Sequence, residues 1–166
     1  MSNKKIKNAQ KDSCNRIQFK SKLEKTIYQT LVEKGYSPLY EPETILLWDN
    51  FTPKTPFYDK ETDNQYKKRT ANESKKSFRR LVLKTDKIIG IRYTPDFYFK
   101  YKDLDVWIES KGFENDIFYI KKKLFRKYLD NKLEKEGIKS IFFEVYTKNQ
   151  LLQALDIIKE YTTNEN

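Results

Sequence analysis

The stretch Tyr93-Thr-Pro-Asp-Phe-Tyr-Phe-Lys100, followed after a polar turn by Asp105-Val-Trp-Ile-Glu-Ser-Lys-Gly112, decides how this chain is read. Strand side chains alternate between faces, so Asp96, Tyr98 and Lys100 share one face while Phe97 and Phe99 take the other. In the second segment Trp107, Glu109 and Lys111 share a face opposite Val106 and Ile108. If the two segments fold as a hairpin with its turn centred between Lys102 and Asp103, Asp96 falls opposite Glu109. Directly opposed residues point the same way, with Cβ atoms about 4.5–5.5 Å apart. Two carboxylates held there repel each other unless a cation lies between them. Mg2+ suits such a pair, because it takes one or two carboxylates and keeps waters for phosphate oxygens; Mn2+ is expected to substitute. Lys111 sets an ammonium about 7 Å further along the same face. There it can orient a water or offset charge developing on a phosphate.

Working outward, Ser21-Lys-Leu-Glu-Lys-Thr-Ile-Tyr-Gln-Thr-Leu-Val-Glu-Lys-Gly35 opens with the capping-box pair Ser21 and Glu24 and stops at a glycine, which predicts a helix. At about 100° per residue, Glu24 lies inside the arc of Leu23, Ile27, Tyr28, Leu31 and Val32. A carboxylate aimed at a core is costly without a partner. Glu24 is therefore either a third acidic ligand or simply a helix cap. Residues 40–48 read as a short strand entered through Pro42, 81–93 as a strand pair or one irregular strand, and 96–100 and 105–110 as clear strands. A long helix is predicted over 116–136, closed by Gly137. A strand follows over 140–146, then a last helix opened by Thr147 and Gln150. This order predicts an α/β fold, a mixed β-sheet flanked by helices on both faces, with no internal repeat.

The chain has 166 residues, enough for one domain with a real core. Its domain organisation reads as a basic flexible arm over 1–20 and a single domain over 21–166, with an exposed basic insertion at about 50–80. It contains no histidine, which excludes nucleophiles that need a His base and His-metal centres. A single cysteine, Cys14, allows no internal disulfide and no Cys-cluster metal site. Hydrolytic chemistry must then come from carboxylates, lysines and a hard cation. The net charge of +10 suggests a polyanionic partner. Lys121, Lys122, Lys123 and Arg126 on the long helix, with Arg79 and Arg80 in the insertion, are the candidate phosphate contacts. No segment approaches the roughly 18 apolar residues of a membrane span, so a cytoplasmic protein without a membrane partner is expected.

Pro95-Asp96, twelve intervening residues, then Glu109-Ser110-Lys111 resembles the signature of the PD-(D/E)XK nuclease superfamily. The helix holding Ser21-Lys-Leu-Glu24, with Leu39-Tyr-Glu-Pro-Glu43 and Tyr93-Thr-Pro-Asp-Phe97, is similar to the phage endonuclease I group of Holliday-junction resolvases. It also resembles the endonuclease subunits of heteromeric transposases. The likeness runs over roughly 20–112 and continues beyond only in the order of elements. It implies a restriction-endonuclease-like core with Glu24, Asp96 and Glu109 as metal ligands, the main-chain carbonyl of Ser110 as a further ligand, and Lys111 beside them. It implies Mg2+-dependent hydrolysis of phosphodiester bonds in branched DNA by a homodimer, in a phage-infected or host bacterial cytoplasm. It does not account for the insertion. Other readings stay open: a transposase-type or sequence-specific DNA endonuclease, an inactive nuclease-fold binding protein, or a basic RNA-binding or assembly factor.

Overall fold

The computed structural model describes residues 12–14, 17–72, 77–112 and 116–163, without the side chains of 12–14 and 116. Residues 1–11 and 15–16 of the expected arm lie outside these. The chain divides into two compact units, one built from the segments up to Leu47 and from Arg92 onward, the other from Trp48–Ile91.

The first unit contains β1 (Asp12–Cys14), β2 (Ile17–Phe19), α1 (Lys22–Glu33) and β3 (Leu39–Tyr40). The chain leaves it along β4 (Ile45–Trp48) and returns along β7 (Ile91–Tyr93), and these two strands pair with each other. After them come β8 (Phe97–Tyr101), β9 (Leu104–Ser110), α3 (Asp116–Glu136), β10 (Ser140–Val145) and α4 (Lys148–Thr163). Its main sheet runs β10-β9-β8-β3, with β9 and β10 parallel and the other pairs antiparallel. A parallel pair needs a long crossover, and α3 supplies it.

Two hydrophobic clusters hold the sheet, one on each face. Phe97, Phe99, Val106 and Ile108 pack with Ile27 and Leu31 of α1 and with Leu151, Leu155 and Ile158 of α4. Tyr98 and Trp107, on the opposite face, pack with Phe118, Phe125 and Leu129 of α3 and with Ile45 and Tyr93. Strand β9 is buried from Leu104 to Glu109 because helices cover both of its sides. The architecture is thus mixed α/β, with four helices among the described residues. None of these helices is long and apolar enough to cross a membrane.

Several expectations need correction. The arm does not extend to residue 20: Ile17–Phe19 is a strand, and the Phe19 ring is buried against Tyr28 and Tyr40. Burying one aromatic ring outweighs the polarity of its neighbours in sequence. The strand expected over 40–48 is broken at Glu41, whose φ of 45° turns the chain from β3 into the approach to β4. Residues 81–93 contain two strands, but they take different partners. β6 (Leu81–Lys84) pairs with β5 (Phe57–Lys60), and β7 pairs with β4.

The second unit is wider than the 50–80 stretch and is folded. Between β5 and β6 lies α2 (Asp63–Thr70), opened by a capping box of Thr62 and Gln65. Among its described residues only Glu61 is buried. Its carboxylate accepts from Arg69 Nε (3.1 Å) and Nη2 (2.5 Å) and from the Arg80 N–H (3.0 Å). Arg69 holds its carboxyl down at about 2.

Candidate active site

The β8–β9 hairpin closes through Lys102 and Asp103, with Lys102 in the left-handed region at φ 54°. Its register pairs Phe97 with Ile108, Tyr98 with Trp107 and Tyr101 with Leu104. Continued by one pair, it sets Asp96 against Glu109, and the contacts agree. The Asp96 N–H donates to Glu109 Oε2 at 3.3 Å. Asp96 Oδ2 accepts from the Ser110 N–H (2.8 Å) and from Ser110 Oγ (2.6 Å). Lys111 Nζ pairs with Glu109 Oε1 and lies 3.8 Å from the Phe118 ring centroid. Asp96, Glu109, Ser110 and Lys111 thus form one connected cluster.

The cluster stores electrostatic tension. Burial, then the charge of Glu109, push the Asp96 carboxyl up to about 7, against the pull of the Ser110 hydrogen bonds, while Glu24 adds to the rise. The Asp96 carboxyl is thus shifted toward its protonated form, while the Lys111 ammonium offsets the charge of Glu109.

Glu24 is buried and has both oxygens engaged. Oε2 accepts from the Lys20 N–H (2.8 Å) and the Tyr40 hydroxyl (2.6 Å), and Oε1 accepts from Ser21 Oγ (3.0 Å). At α4, Gln150 makes the same contact with the N–H of the residue before its cap, Tyr146, at 2.7 Å. Glu24 therefore caps α1, and its charge is felt at Asp96. Among the described residues no group of three or more His, Cys, Asp or Glu side chains is disposed to hold a metal ion. What is present is a two-carboxylate oxygen set of mutually repelling acids. That set fits a hard divalent cation bound through one or two carboxylates. Asp96 and Glu109 would hold it, with the Ser110 carbonyl as the further donor implied by the resemblance.

The basic candidates separate into groups. Lys122 pairs with Glu144 (2.9 Å) and its ammonium lies over the rings of Phe118 and Tyr119. Lys122 and Arg126 line a groove of about 440 Å³ with Asp130, Ser140 and Glu144. Lys121 is half-buried and Lys123 exposed on α3. Arg79 is tied within the second unit, donating to Asp63 Oδ1 (2.6 Å) and lying over the Tyr66 ring, whereas the Arg80 side chain is exposed.

Three residues that the sequence did not single out belong to this site. Tyr93 donates its hydroxyl to Glu109 Oε2 at 2.5 Å, and burial followed by the Glu109 charge pushes its pKa up. Glu144 lies in register with Glu109 on the neighbouring parallel strand, so both share one face. Lys20 pairs with Glu41, which holds its ammonium charged, with Asp96 and Glu24 reinforcing this. The available signal was strand period: Glu144 follows Phe142 as Glu109 follows Trp107.

Comparison of the chain with family models, with curated proteins and with solved structures gives no match. The functional reading therefore rests on the geometry above and on the resemblance of its residues.

Proposed function

We propose that this protein is a Mg2+-dependent DNA endonuclease with a restriction-endonuclease-like core, hydrolysing phosphodiester bonds in branched DNA. One observation carries the reading: two opposed carboxylates and a lysine converge at the end of a hairpin buried on both faces, with the Asp96 carboxyl pushed up to about 7. Strongly perturbed carboxylates beside a specific charged partner cluster at functional sites.

When bound, the cation would supply Lewis-acid activation of water and phosphate. The protein's own groups do the rest. Ser110 clamps one oxygen of Asp96, and Tyr93 and Lys111 fix the two oxygens of Glu109. Lys111 then offers its remaining N–H groups to an attacking water or to the charge growing on the phosphate. Glu24, the third acidic ligand that the resemblance implies, has both oxygens engaged in capping α1 and acts through the negative charge it adds near Asp96. Lys121, Lys122, Lys123, Arg126 and Arg80 supply phosphate attraction that falls steeply with salt. Paired cuts in two strands call for two sites, which favours a homodimer. We place this work in the cytoplasm.

The test is cleavage of a four-way junction and of linear duplex in Mg2+, comparing parental protein with Asp96→Ala and Lys111→Ala. Both variants are expected to lose cleavage and keep DNA binding. Cutting at the parental rate by both overturns the site assignment.

A further inference from the structure

The second unit leaves most of its aromatic rings uncovered. Trp48 and Phe51 stand with ring planes 10° apart and centroids 6.4 Å apart, and they are 55% and 45% exposed. Their backbone is pinned. Phe51 and Ile88 exchange both main-chain hydrogen bonds (3.0 and 2.8 Å), and the Gly90 N–H donates to Asn50 Oδ1 at 2.6 Å. A Cβ on Gly90 would sit 2.1 Å from the Trp48 carbonyl oxygen, so only glycine permits this approach. The two near-parallel rings stand on a pinned main chain, so little backbone freedom is left to lose when a third planar group joins them. Phe57, Tyr58 and Phe78 of the same unit are also exposed.

Charge narrows the occupant. The 44 residues of Trp48–Ile91 contain eleven Lys and Arg against six Asp and Glu, a net +5 that is half of the whole chain's surplus. Exposed near-parallel aromatic rings in a cationic setting match the chemistry of single-stranded nucleic acid, in which bases stack on the rings and phosphates meet the charges. Duplex DNA keeps its base faces hidden. An apolar protein partner would gain nothing from the charge.

We infer that Trp48 and Phe51 form a stacking platform for unpaired bases of DNA. This deepens the nuclease reading by naming the part of the substrate engaged, but it needs neither metal nor cleavage.

The experiment uses the full chain in EDTA. Its two tryptophans differ sharply, since Trp107 is 3% exposed, so added ligand reports on Trp48. Titration with oligo(dT) is expected to quench Trp48 emission. Phe51→Leu, which keeps an apolar side chain but removes the ring, is expected to weaken oligo(dT) binding about tenfold. Phe51→Tyr should restore it, and in both variants the salt slope should stay parental, because phosphate contacts are unchanged. A packing role would tolerate Leu. Absence of quenching, or parental affinity in Phe51→Leu, overturns the platform. Equal quenching by oligo(rU) overturns the assignment to DNA. Self-association that Trp48→Ala abolishes would assign the patch to a second copy instead. Because no metal is present, failure here leaves the cleavage reading intact, and loss of cleavage in Asp96→Ala leaves this one intact.

Discussion

The β8–β9 hairpin and the β5–β6 pair are both short antiparallel ladders, yet they treat the same side chains in opposite ways. In β8–β9 the aromatics disappear into packing on both faces, and the group pushed from its ordinary charge state is the Asp96 carboxyl at its end. In β5–β6 and its surroundings the buried group is a carboxylate, Glu61, fully engaged by arginine, while the rings stay exposed. One unit holds itself together by apolar burial and has acids left over for chemistry. The other holds itself together around an ion pair and has rings left over for contact.

The largest effect expected is on cleavage. Lys111→Met should reduce single-turnover cutting roughly 10²–10³-fold while oligo(dT) quenching of Trp48 stays parental, which would separate the two units by function. Tyr93→Phe removes the hydroxyl that orients Glu109 and should cost about 10–100-fold in rate or in Mg2+ affinity. Equal rates for Tyr93→Phe and parental protein would demote that contact.

The next tests concern stability, where the two units should respond to pH with opposite signs. The Asp96 carboxyl is raised above its unfolded value, so folding binds protons. The cost is absent below about pH 4, grows as pH rises and is complete above about 7. Asp96→Asn should therefore stabilise the protein at pH 8 by on the order of 1–4 kcal/mol and leave it nearly unchanged at pH 4. Denaturant melts at both values check this. Glu61 is lowered instead, so its contribution is present at neutral pH and fades as pH falls from the ordinary carboxylate range through about 2. Glu61→Gln at pH 7 should raise amide exchange across Trp48–Ile91 and spare β8 and β9. Uniform loss of protection would show that the chain unfolds as one body. The smallest effect belongs to Glu24→Gln. Glutamine keeps the cap acceptor, so stability should shift by less than about 1 kcal/mol; loss of the charge felt at Asp96 should lower the Asp96 carboxyl toward its ordinary range, read as a downward shift in the pH dependence of stability.

Where physics is local, the sequence was enough. A period of two and a two-residue turn fix which residues face each other, so the Asp96–Glu109 pairing could be read directly. The helix over 116–136 was legible from its length and closing glycine. What escaped depends on distant partners. Phe19 sits among polar neighbours in sequence but meets Tyr28 and Tyr40 in space. Glu144 joins the site only because α3 returns the chain parallel to β9. The strand character of β6 was legible, but its partner β5 lies on the far side of α2 with no adjacent turn, so spacing did not announce the β5–β6 ladder.

The main-chain N–H of Lys111 donates to the carbonyl of Val145, on a strand reached only after the whole of α3. A ribosome making this chain can finish the acidic hairpin early, but the lysine is anchored only once β10 has emerged and docked. On the nuclease reading, the nascent chain carries an unarmed site from the making of Lys111 until β10 is in place.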